Sequence, residues 1–153
     1  MEKFEIQGNR LPRMDNTITY LNTDLVLIGP DDLTELAQAL EAGGVPPLYD
    51  PQSSDGKWYA NFETEEQHSE PDSNISQMLS VIESLAQPLL DVWRHCTLRE
   101  FNIGYDCGAE PWAFNHGLST ELLQRLGAVG ASLRITLYPD RDAGGGATCD
   151  ISK

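Results

Sequence analysis

Three segments of this chain, KWYANFET (57–64), LREFNIGYD (98–106) and SLRITLY (132–138), place apolar and polar side chains at alternate positions. Successive side chains of a strand point to opposite faces, so a period of two describes a sheet that is dry on one face and wet on the other. A sheet covered on both faces shows continuous apolar strands instead. The alternation therefore predicts a two-layer α+β sandwich, with about three helices on one face of a mostly antiparallel sheet of four strands or slightly more. A first strand is expected within TITYLNTDLVLIGP (17–30), where Leu25, Val26, Leu27 and Ile28 are all apolar, as suits a central position. Strands and helices alternate along the chain, so parallel crossovers are the competing topology.

The helices follow from spacing. Leu33, Leu36, Ala37 and Leu40 lie on one helical face, with Asp32 and Glu35 placed as a capping box and Gly43-Gly44 as the stop. Residues 45–56 hold three prolines and read as an irregular loop. From Asp72 to about His95, the stripe Ile75, Met78, Leu79, Ile82, Leu85, Leu89 and Trp93 predicts one long amphipathic helix that Pro88 bends or divides. Ser119 is the expected N-cap of a shorter helix whose buried side is Leu118, Leu122, Leu123 and Leu126. That side is expected to cover Leu133, Ile135 and Leu137 of the last strand, with Gly127 or Gly130 releasing the chain between them. Residues 1–139 read as a single domain and the glycine-rich 140–153 as a flexible tail.

Charge is segregated along this frame. The formal net charge is −14, and residues 14–93 alone carry one basic side chain, Lys57, against fifteen acids. Five of those acids crowd into ETEEQHSEPD: Glu63, Glu65, Glu66, Glu70 and Asp72. Nucleic-acid binding needs clustered Lys and Arg and is not expected. The complement of such a surface is a basic protein, for example a toxin held by an immunity-type inhibitor. No apolar run reaches the ~20 residues of a membrane span, and MEKFEIQGNR lacks the apolar centre of a secretory signal, so a cytoplasmic protein is expected. Three cysteines without metal-type spacing, Cys96, Cys107 and Cys149, read as thiols.

The runs GKWYANFE, FNIGYD and HGLSTELLQRLGAVGASLRITLYP resemble the bacterial family known as domain of unknown function 4279. The positions that carry the likeness are Leu118, Ser119, Glu121, Leu122, Leu126, Gly127, Ala131, Leu133, Ile135 and Tyr138. It spans residues 17–139 and rests mainly on 98–139. The resemblance implies a shared fold and brings no catalytic residue with it.

No motif declares a chemistry. His95-Cys96, Cys107 and His116 include zinc-ligand types, but adjacent residues of a helix point about 100° apart and the others stand alone, so no metal or cofactor is expected. The alternative is an enzyme, a small hydrolase with Cys107 and His116 as its nucleophilic pair or a metal-dependent enzyme using the same two residues, although Asp106 and Glu110 nearby would weaken a thiolate. The structural alternative for that loop is a surface turn in which Trp112 and Phe114 plug the end of the core. The remaining candidate is the polar side of the sheet, where the alternation gathers Tyr59, Asn61, Asn102, Asp106, Arg134, Thr136 and Tyr138. Tyr59, Asn61, Asn102, Arg134 and Tyr138 of this face, with Glu63, Glu65, Glu66, Glu70 and Asp72, form the expected partner-binding surface, and no residue is assigned as catalytic.

Overall fold

The three alternating segments are strands, and a computed structural model describes them within residues 16–139. The described chain runs β1 (Thr19–Gly29), α1 (Thr34–Ala42), β2 (Gln52–Ser54), β3 (Lys57–Phe62), α2 (Pro71–Glu83), α3 (Gln87–His95), β4 (Leu98–Asp106), α4 (Thr120–Ala128) and β5 (Ser132–Tyr138). The segments 1–15 and 140–153, including the expected tail and Cys149, lie outside the described residues.

The sheet order is β2-β3-β1-β4-β5. β1 is central and antiparallel to both neighbours, β2 and β3 form a hairpin, and β4 and β5 run parallel across the α4 crossover. The sheet is thus mixed, with a single parallel pair at one edge. Leu25 and Leu27 pair with Phe62 and Ala60 on one side and with Phe101 and Arg99 on the other. This face meets Leu36 and Leu40 of α1, Ile75, Met78, Leu79 and Ile82 of α2, Trp93 of α3, and Leu122 and Leu126 of α4, all buried in one core.

Strand and helix counts exceed expectation by one each, for local reasons. The loop expected at 45–56 contains β2, joined to β3 by Asp55-Gly56 with φ of 57° and 73°. Two successive residues at positive φ make the turn whose twist matches a hairpin, and Asp-Gly is a preferred pair for it. The long helix is divided. Chain geometry breaks at Ser84–Ala86, and Pro88 falls in the first turn of α3, where a missing N–H loses no helical bond. Its apolar stripe survives the break, with Ile75 to Ile82 and Trp93 fully buried.

Two side chains lock the helical layer. Trp93 Nε1 donates to the Val129 carbonyl at 2.9 Å. Arg99, on β4, donates to the carbonyls of Trp93, Arg94 and Cys96 at the end of α3 and of Gly130 after α4. One guanidinium therefore meets carbonyls at the C-terminal end of α3 and in the turn that follows α4, where a cation also meets the negative ends of the helix dipoles. Gly130 makes the return into β5 at φ 70°.

The expected packing of α4 on β5 is not what forms. Leu133, Ile135 and Leu137 are 39%, 65% and 61% exposed, and Leu123 is 49% exposed. α4 packs instead against α2: Arg125 donates to both carboxylate oxygens of Glu83 and to the hydroxyls of Ser76 and Ser80. Leu122 and Leu126 turn into the core beneath that seam, and β5 is the edge strand with no outer neighbour among the described residues. Leu126→Ala should therefore cost about 2–5 kcal/mol in urea unfolding. Leu123→Ala should stay within about 0.5 kcal/mol, and the difference between the two measures the direction in which α4 faces.

Candidate functional site

Strand register decides where the surface residues fall. Tyr59 and Asn61 pair with Ile28 and Val26, Asn102 pairs with Asp24 and Arg134, and Asp106 with Tyr138. All the predicted polar positions therefore share the face opposite the core. They do not form one cluster: β3 and β5 are three strand spacings, roughly 14 Å, apart. Val26, Ile28 and Leu98 occupy the same face between them, half-buried.

On the β4–β5 side the polar groups are already matched. Arg134 Nε donates to Glu100 Oε1 at 2.7 Å, which holds the guanidinium charged and raises its pKa. Thr136 Oγ1 donates to Asn102 Oδ1 at 2.7 Å. The Tyr138 ring lies over Gly104, where an added Cβ would stand 3.5 Å from it.

The acidic stretch is more ordered than a run of charges implies. Asn74, in the first turn of α2, is buried and accepts through Oδ1 from the Tyr20 hydroxyl at 2.7 Å and from the Thr23 amide at 3.1 Å. The Tyr20 proton is committed there, so the Thr23 hydroxyl donates to Tyr20 Oη at 2.6 Å. Desolvation in this pocket pushes the Tyr20 phenol far above its ordinary value. Asn74 Nδ2 donates to Thr64 Oγ1 at 2.9 Å, and Thr64 Oγ1 to the Glu66 carbonyl at 2.7 Å. The Glu65 amide donates to the Gly44 carbonyl, and Asn22 Nδ2 donates to Glu63 Oε2. His68 is held between Ser73 and Gln77.

The five predicted acids consequently separate. Glu65, Glu66 and Glu70 are exposed, while Glu63 is drawn to the sheet by Asn22. Asp72 accepts from the Ser119 amide at 2.8 Å, and Ser119 Oγ caps α4 by accepting from Leu122 N, as expected of that N-cap. Sequence reasoning overlooked Asn22, Thr64 and Asn74. A lone Asn at the head of an apolar stripe was the available signal.

The loop after β4 places His116 against Tyr105, with 3.1 Å between Nδ1 and the phenol oxygen. Its ring also packs on Tyr20 and Phe114, centroids 5.9 and 4.7 Å away. Phe114 does close this end of the core, whereas Trp112 is 98% exposed and plugs nothing. The Cys107 amide donates to the Tyr138 carbonyl, extending the β4–β5 ladder by one bond. Among the described residues no group of three His, Cys, Asp or Glu is placed to hold a metal, and no helix is long and apolar enough to cross a membrane.

The chain matches no family model, no curated protein and no solved structure.

Asn74→Ala strands the Tyr20 hydroxyl and the Thr23 amide in the core, and should cost about 1–3 kcal/mol by urea unfolding. Burial raises the Cys96 thiol from its ordinary 9.0 to about 11. Its contribution to stability is present below pH 9 and is lost as pH rises through about 11, because the unfolded thiol ionises first. Alkylation followed by mass spectrometry should show Cys96 inert at neutral pH until the protein unfolds.

Proposed function

We propose that the protein is a non-enzymatic binding module, of the inhibitor or immunity-protein kind, whose acidic surface docks a basic protein in the cytoplasm. The carrying observation is the buried Asn74 network, which anchors the 63–66 backbone while Glu65, Glu66 and Glu70 face solvent. An acidic surface fixed before encounter loses little conformational freedom on binding. Its field is supported by the imbalance of residues 14–93, where Lys57 stands alone against fifteen acids. Arg134 does not offset this field, since Glu100 neutralises it. Kinship with domain of unknown function 4279 belongs to the same proposal and concerns packing residues such as Leu122 and Leu126.

The test uses basic proteins recovered from the native cytosol on the immobilised full chain. The triple variant Glu65→Gln, Glu66→Gln, Glu70→Gln should slow association roughly tenfold at low salt and change dissociation little, as expected for steering by exposed charges. An association rate indifferent both to salt and to these substitutions refutes the reading.

A further inference from the structure

In a parallel ladder, alternate residues direct both backbone groups toward the neighbour and the others direct theirs away. The Tyr138 carbonyl accepts from Cys107, so Ser132, Arg134, Thr136 and Tyr138 face β4. Leu133, Ile135 and Leu137 therefore aim their amides and carbonyls at the open edge of the sheet, where no strand lies among the described residues. Their side chains are also the exposed apolar ones on the helix side. A seven-residue edge with its own apolar row is a template for another strand.

Charge and register select the partner. From Gly127 to Pro139 the chain carries no acid and one cation, Arg134, in a protein with 24 acids. A basic protein finds nothing to pair with there, whereas a second neutral, apolar edge does. Ile135 is the midpoint of Ser132–Tyr138. A two-fold axis through it sets Ile135 opposite Ile135 and Leu133 opposite Leu137, all with outward backbone groups, giving on the order of six inter-chain hydrogen bonds. On the other face Arg134 meets Thr136 and Ser132 meets Tyr138. A slip of one residue sets apolar against polar side chains. A slip of two sets Arg134 against Arg134 in one direction, and in the other sets Leu133 against Pro139, which has no N–H to give.

We propose that β5 is a homodimer interface, two copies of this chain pairing antiparallel about Ile135 into one continuous sheet. The inference is independent of the acidic docking surface, which lies on other elements. Two copies of charge −14 repel, so this association tightens with added salt, the opposite of docking a basic partner.

Sedimentation of the full chain at about 50 µM and moderate salt should give twice the chain mass. Ile135 is largely exposed in one copy, so Ile135→Lys should leave the fold intact by circular dichroism and weaken dimerisation by more than about a hundredfold. Hydrogen exchange should find the amides of Leu133, Ile135 and Leu137 protected in the dimer and open in that variant, with Arg134 and Thr136 protected in both. A monomeric wild-type chain, a dimer that survives Ile135→Lys, or a dimer whose Leu133, Ile135 and Leu137 amides exchange freely would each overturn the proposal.

Discussion

The dry face of β1 organises everything that packs around it. β1 is bonded on both edges, and Leu25 and Leu27 are fully buried between Phe62 and Ala60 on one side and Phe101 on the other. Those rows form a continuous apolar surface that a second layer must remove from water, and here that layer is helical. α1, α2 and the Trp93 end of α3 supply it with side chains at helical spacing. Among the described residues no helix covers the opposite face, and β3, β4 and β5 accordingly alternate instead of running apolar throughout.

The cover has an edge, and polar side chains set where it stops. Arg99 binds the ends of α3 and the α4–β5 turn to β4 through four carbonyls, and Arg125 clips α4 to α2 through Glu83. The Arg125 pair holds the Glu83 carboxyl below its ordinary range, chiefly through the hydrogen bond itself. With α4 spent on α2, nothing in the described chain lies over Leu133, Ile135 and Leu137. A strand that is apolar in sequence but exposed in the folded chain follows from that competition.

The same logic turns a run of acids into a surface of defined shape. A buried Asn must satisfy its amide, and Asn74 does so by reaching β1 on one side and Thr64 on the other. The loop that carries Glu65, Glu66 and Glu70 is thereby tied to the central strand, and its charges hold position relative to the sheet. The neutral β5 edge and the acidic loop are separate features, so the two proposed associations use different elements.

How much of this was legible in the sequence differs by element. β4 and β5 were readable to the residue because alternation is a local consequence of strand geometry, and Ser119 was readable as a cap because its bond to Leu122 spans three residues. Asp55-Gly56 also announced the β2–β3 hairpin, a local signal masked by the surrounding prolines. That one face is dry was likewise settled by the pattern of side chains. Which helix covers which strand was not, because Leu122 and Leu126 are equally apolar whether they meet β5 or α2. The choice was made by Arg125 finding Glu83, 42 positions away, and by Arg99 joining the carbonyl of Gly130, 31 positions away, to those of Trp93, Arg94 and Cys96 beside it. The separation of the five acids, with Asp72 spent on Ser119 and Glu63 on Asn22, has the same origin. Periodicity and charge are local properties of the chain and could be read along it, whereas which apolar rows and which carboxylates remain for solvent or a partner depends on long-range hydrogen bonds that no local pattern encodes.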